Sequence, residues 1–154
     1  MGDFGEKFTK TMERHTQYQK SFVAPKGKIL VVDDNYMNLM VVKGLLKDIE
    51  IHIDTALSGE ECLKLMNVNK YHMIFLDHMM PEMDGIETLK QIRSLEEKVG
   101  KALPLIALTA NAISGSKQMY LDEGFDDYLS KPIEPMKLEK VILKYLPEEL
   151  INRC

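Results

Sequence analysis

A chain of 154 residues, 45% hydrophobic and 29% charged, has the composition of an ordinary globule and the length to bury roughly 68–70% of its unfolded surface without a disulfide or metal staple. Its formal net charge of −4 gives no electrostatic case for binding nucleic acid or an acidic membrane. Cys62 and Cys154 stand too far apart in sequence to suggest a disulfide framework, no apolar run approaches the roughly 18 residues of a membrane span, and the N-terminus lacks the apolar core of a signal peptide, so a cytoplasmic protein with free thiols is expected.

Residues 1–27 are polar and mixed in charge, with Phe8, Met12, Tyr18 and Phe22 too scattered to make an apolar face, and Ala24-Pro25-Lys26-Gly27 punctuates them. They read as a linker or arm ahead of a domain over residues 28–146, with 147–154 as a tail. Lys28-Ile29-Leu30-Val31-Val32 is a β-branched run that predicts a buried strand ending at Asp33-Asp34-Asn35. Leu39, Val42, Leu45 and Leu46 then recur at helical spacing. A second strand is expected over Ile51–Ala56, partly alternating and so nearer an edge, and Ser58 with Glu61 supplies a capping box for a helix striped by Cys62, Leu65 and Met66. Tyr71-His72-Met73-Ile74-Phe75-Leu76 is a third strand that stops abruptly at Asp77, before a loop marked by Pro81 and Asp84-Gly85. Ile86, Leu89, Ile92, Leu95 and Val99 predict a helix running to Gly100, and Leu103–Thr109 a fourth strand with Pro104 tolerated near its start. The stretch Ala110–Gly124 predicts a weak, mobile helix with Met119 and Leu121 as its main apolar contacts. Phe125–Ser130 is a fifth strand ending at Lys131-Pro132. Leu138, Val141, Ile142 and Tyr145 mark a last helix broken by Pro147, after which one more turn is expected.

Five strands alternating with five helices imply an α/β fold, a parallel sheet covered on both faces with right-handed crossovers. In such sheets ligands bind at the carboxyl ends of the strands. Here those ends carry Asp33-Asp34, Asp77, Thr109 and Lys131. Three carboxylates at one edge repel one another, and a hard cation such as Mg²⁺ relieves that while leaving positions open for a phosphoryl oxygen. Lys131 and Thr109 would add a charge and a hydroxyl to complete a phosphoryl clamp. The plainer alternative makes Asp77 and Asp33-Asp34 turn residues, Thr109 a β-branched strand end and Lys131 a surface charge. Each of these is the commoner use of its residue type, but together they need four coincidences at one edge.

The ordered set Val31-Val32-Asp33-Asp34-Asn35, Phe75-Leu76-Asp77 with Met80-Pro81-Glu82-Met83-Asp84-Gly85, Ala107-Leu108-Thr109-Ala110 and Tyr128-Leu129-Ser130-Lys131-Pro132 resembles the receiver domain of two-component response regulators over roughly residues 28–146. The resemblance implies a flavodoxin-like, doubly wound sheet in the order 2-1-3-4-5. It implies that Asp77 accepts a phosphoryl group from a phosphohistidine of a sensor histidine kinase or histidine phosphotransfer domain. Asp33 and Asp34 would hold Mg²⁺ together with Asp77 and the main-chain carbonyl of Met79, and Thr109 and Lys131 would contact the phosphoryl group. Tyr128 would be the aromatic that reports it, moving with Thr109 while residues 110–124 shift, and the Lys131-Pro132 bond would be cis. A partner or dimer contact is expected on the face made by the fourth helix, fifth strand and fifth helix, with no direct nucleic-acid or membrane contact. His78 occupies a position that varies in the family and is expected to border the pocket. His15 and His72 offer no paired geometry for zinc.

Ser21-Phe22-Val23-Ala24-Pro25, Asn35 and Asn38 are similar to receivers attached to hybrid sensor histidine kinases. With no kinase catalytic domain in the chain and too few residues after Pro147 for a DNA-binding output domain, it reads as a receiver excised from a longer protein or a stand-alone one. Two other functions compete. One is a receiver-shaped binding module indifferent to phosphate. The other is a phosphohydrolase, disfavoured because Met79 stands where haloacid-dehalogenase-type enzymes carry a second acid two residues after the nucleophile.

Overall fold

The sheet is built outward from the most apolar run of the chain. In the computed structural model, which describes residues 22–99, 103–110 and 116–153, that run is strand β4 (Met73–Asp77), buried at every position. The other elements in chain order are β1 (Phe22–Val23), β2 (Lys28–Val32), α1 (Tyr36–Leu45), β3 (His52–Ala56), α2 (Gly59–Val68), α3 (Gly85–Val99), β5 (Leu105–Thr109), α4 (Ser116–Glu123), β6 (Asp127–Ser130), α5 (Pro135–Tyr145) and β7 (Asn152–Arg153). The main sheet has five parallel strands in the order β3-β2-β4-β5-β6, which is the expected 2-1-3-4-5 when its strands alone are counted.

Because side chains alternate along a strand, each strand feeds both faces. Ile29, Val31, Phe75, Ile106 and Leu108 pack under α1 and α5 with Leu39, Val42, Leu138 and Ile142. Leu30, Val32, Ile74, Leu76 and Ala107 pack under the opposite helices with Cys62, Leu89, Ile92 and Tyr120. Double coverage leaves β4 and β5 no solvent face, which is why both read as continuous apolar runs. β3 lies at the edge, and its mixed pattern reflects that. The capping box forms with a small offset: Ser58 Oγ accepts from the Glu61 amide at 3.1 Å, while the Glu61 carboxylate accepts from the Leu57 amide at 3.2 Å.

The structure departs from the sequence reading in four places. Phe22 and Ala24 are fully buried, and β1 pairs antiparallel with β7, so the packed body reaches beyond residues 28–146 on both sides. The tail forms the expected extra turn, a short 3₁₀ helix at Glu148–Leu150, but then continues into a strand that was not expected, β7. β6 begins only at Asp127, and Phe125 is a core residue ahead of it. In α4 the buried side chain is Tyr120, 1% exposed, whereas Met119 is 38% exposed. Periodicity failed there because a single tyrosine carries the contact. Residues 1–21, Gly100 and 111–115, on which part of the expected arm, helix stop and weak helix fall, lie outside the described residues.

Candidate functional site

Strand order reverses between β2 and β4, which are neighbours in space but belong to opposite halves of the winding. Asp33 follows β2 and Asp77 ends β4, so the reversal sets the two acids side by side. Asp33 and Asp77 are buried, Asp34 is exposed, and ligand atoms of all three lie within 4.8 Å of one another. Among the described residues this is the one cluster with metal-ligating spacing.

Local chemistry holds each acid. Asp33 Oδ1 accepts from the Asn35 amide at 2.9 Å, and Oδ2 accepts from the Asn38 side-chain amide at 3.2 Å. Asn35 also caps α1, its side-chain oxygen accepting from the Met37 amide. The loop after Asp77 is pinned by the His78 amide donating to Leu108 O and by the Gly85 amide donating to His78 O, each at 3.0 Å. Gly85 is obligatory: a Cβ there would drive into the main-chain oxygen of Asp77. Asp84 starts α3 by accepting from the Glu87 amide at 2.8 Å.

Lys131 closes the pocket. Its ammonium lies 2.9 Å from Asp33 Oδ2 and 3.1 Å from Asp77 Oδ1, and the peptide bond that follows it, to Pro132, is cis. One lysine cannot neutralise three carboxylates. Burial pushes the Asp77 carboxyl up to about 6, the charge of Asp33 adds to the rise, and Lys131 opposes it. Burial works against the charged form of Lys131, yet hydrogen bonding to Asp33 and Asp77 outweighs it and raises the amine above its ordinary value. The excess of negative charge and the all-oxygen donor set suit a hard divalent cation such as Mg²⁺.

Thr109 ends β5, is 2% exposed, and its carbonyl accepts from the Lys131 amide at 2.7 Å. All the sequence-predicted strand-end residues therefore come together at one edge. Tyr128, expected to report the phosphoryl group, is half-buried on β6, its ring stacked 6.2 Å from that of Tyr120. The hydroxyl that meets Thr109 belongs to Tyr120, which donates to Thr109 Oγ1 at 2.8 Å. That hydroxyl also lies 2.8 Å from Nδ1 of His78. Sequence reasoning missed Tyr120, and the signal that could have found it is an aromatic inside a polar helix, eight residues before Tyr128.

A family model described as the response regulator receiver domain matches residues 29–143. The chain is similar to a hybrid signal transduction histidine kinase L of Dictyostelium discoideum, 37% identical over 77% of this chain and 7% of that protein. It is also similar to a probable histidine kinase 1 of Oryza sativa subsp. indica, 32% identical over 89% of this chain and 18% of that protein. It thus spans less than a fifth of these relatives. Among solved structures, a co-crystal of a Saccharomyces cerevisiae histidine phosphotransfer protein with the receiver domain of its downstream response regulator matches with a TM-score of 0.76 and 32% identity, over 83% of this chain and 94% of that one. The receiver domain of the Arabidopsis thaliana histidine kinase CKI1 complexed with Mg²⁺ matches with a TM-score of 0.69 and 30% identity, over 81% and 94%.

Proposed function

The chain belongs to the response regulator receiver family, and from that premise we propose that it is the phosphoacceptor of a two-component relay, with Asp77 as nucleophile. A carboxylate oxygen of Asp77 attacks the phosphorus of a phosphohistidine on a kinase or phosphotransfer partner. The P–O bond forms as the P–N bond breaks, and the departing imidazole takes a proton from solvent. Asp33, Asp34, Asp77 and the main-chain carbonyl of Met79 would hold Mg²⁺, which when bound neutralises charge on the carboxylates and on the transferring oxygens. The three hydrogens of the Lys131 ammonium let it turn from the two acids to a phosphoryl oxygen, and the Thr109 hydroxyl donates to another.

The observation that carries this reading is the buried Asp77, crowded by Asp33 and Asp34 and countered by Lys131 alone among the ion pairs described there. A carboxyl near 6 is mostly ionised at neutral pH and so available as a nucleophile. A protein partner is supported by Tyr36, Met37 and Val41, which stand exposed on α1 just after the acidic pair, and by Met79, 73% exposed, two residues after Asp77. The phosphorylated state is read on the face of α4, β6 and α5, where Met119 and Met136 are exposed to receive a partner or a second copy. We place the chain in the cytoplasm, as a receiver of a hybrid histidine kinase; no described helix is long and apolar enough to cross a membrane.

Intact mass after acetyl phosphate and Mg²⁺ tests the proposal. One phosphoryl group per chain is expected, and none in Asp77→Asn. A wild-type chain that gains no mass, or an Asp77→Asn chain that gains it at the wild-type rate, overturns the assignment.

A further inference from the structure

The side chain of Asn38 gives its own helix no hydrogen bond. Its backbone amide donates to Asn35 O at 3.1 Å, as a first-turn amide should, and the start of α1 is closed by Asn35, whose side-chain oxygen accepts from the Met37 amide at 2.9 Å. In the usual capping box the third helical residue is a Glu or Gln that reaches back to accept the amide of the cap residue. In this chain Asp33 accepts that amide, at 2.9 Å, and the third helical residue is Asn38, whose side-chain amide donates back to Asp33 Oδ2 at 3.2 Å. The box is inverted, so that α1 grips the acid that precedes it. A carboxylate at position 38 could only repel that acid.

Counting acceptor sites shows what the grip achieves. A carboxylate offers about four of them. On Asp33, Oδ1 takes the Asn35 amide, while Oδ2 takes the Asn38 amide and the Lys131 ammonium at 2.9 Å. Among the described residues nothing fills the remaining site, which belongs to Oδ1. Asp33 is 1% exposed, so that site does not open on bulk solvent. It is the site Asp33 can offer to a cation shared with Asp34 and Asp77, whose ligand atoms lie within 4.8 Å. Turning the carboxylate would spoil that aim, and the bonds to Oδ2 oppose the turn.

The two groups on Oδ2 differ in what else they do. Lys131 also meets Asp77 Oδ1 at 3.1 Å, and in the phosphoacceptor reading it turns from the acids to a phosphoryl oxygen. Asn38 has no second task, since Asp33 is the one side-chain partner of its amide among the described residues. Resting on that reading, we propose that Asn38 is a positioning residue for the metal-binding carboxylate: it keeps Asp33 Oδ2 engaged when Lys131 turns away, so that Oδ1 stays presented to a divalent cation throughout phosphoryl transfer.

The test is a cycle of four proteins, wild type, Asn38→Leu, Lys131→Met and the double variant, read by calorimetric titration with MgCl₂ at constant ionic strength. Where Lys131 still holds Oδ2, Asn38→Leu should weaken Mg²⁺ binding only about 2- to 3-fold, and where Lys131 is gone about 10-fold, the low end for hydrogen bonds that support a metal-binding carboxylate. A merely structural role at the start of α1 would give the same loss in both backgrounds. Asn38→Ala repeats the cycle with a residue well suited to a helix, which guards against a folding defect of the leucine variant. Unchanged Mg²⁺ affinity on removing the Asn38 amide, or equal losses with and without Lys131, overturns the inference while leaving Asp77 as acceptor. A wild-type chain that binds Mg²⁺ but takes no phosphoryl group from acetyl phosphate overturns the phosphoacceptor reading instead.

Discussion

Lys131 reaches across a strand to meet Asp77: its ammonium lies 3.1 Å from Asp77 Oδ1, although β5 separates the strands that lead to them. The ammonium thereby occupies charge that a divalent cation would otherwise neutralise. Lys131→Met keeps the stem and removes the charge. Mg²⁺ affinity is expected to rise by roughly five- to tenfold, about 1 kcal/mol, because a competing cation has gone. Calorimetric titration at constant ionic strength checks this, and unchanged or weaker binding would show that the lysine charge is not felt at the acidic site.

Asp77 makes the fold pH-dependent. Its carboxyl titrates near 6 in the folded chain against an ordinary 3.8, so the folded state holds the proton more tightly. Stability from this group is therefore present below pH about 4 and is lost as pH rises through about 6, by an amount on the order of 1–3 kcal/mol. Urea denaturation in chelator should find Asp77→Asn more stable than wild type at pH 7 and little different at pH 4. A constant offset between the two proteins across that range would mean that burial does not strain the carboxylate.

The acidic pair divides into a structural and a binding member. Asp34 is exposed, so Asp34→Ala should weaken Mg²⁺ binding at least tenfold with stability unchanged to about 0.5 kcal/mol. Asp33 also holds the Asn35 amide, Asn38 and Lys131, so Asp33→Ala should lose both metal binding and stability. Replacing both should abolish Mg²⁺ binding and slow labelling severely. Unchanged affinity in the doubly substituted protein would reduce the pair to a turn.

Two glycines give opposite expectations. Nothing stands within 4 Å of a Cβ at Gly44, in the last turn of α1, so Gly44→Ala should stabilise by at most about 0.5–1 kcal/mol. Gly85→Ala sets a methyl against the Asp77 backbone and should destabilise by about 1–3 kcal/mol while slowing labelling as the acceptor shifts. Thermal melts of both variants beside the wild type decide the pair.

Asp33, Asp77 and Thr109 were legible from the chain because each closes a run of buried residues, and an apolar run that stops at a polar group marks the end of a doubly covered strand, whereas Lys131 follows the only partly buried β6 and was legible from the Lys131-Pro132 stop. The 2-1-3-4-5 order was not in the periodicity and came with the motif set. Tyr120 was invisible for a different reason: it is the buried contact of a short polar helix, and its two hydroxyl partners lie 11 and 42 residues away in sequence. Phe22 was read as part of an arm because a strand of two residues has no period to detect. Asn38 was seen only as part of a resemblance, and its bond to Asp33 needed α1 to turn it back toward the pocket.

The pairing of β1 with β7 also settles how the domain would bear a mechanical load. Phe22 lies opposite Arg153 and Val23 opposite Asn152, so the chain enters and leaves at the same end of a two-rung ladder. Force applied between those points would load the rungs one after the other, as a zip opens, and not all at once as in shear. Peeling it would draw Phe22 and Ile151 away from Ile49 and Leu146, among which they are clustered, and would do so at the amino end of the sheet, remote from the acidic edge. The two-rung ladder would thus open before the five-stranded sheet, whose neighbouring strands share four or five registered pairs each.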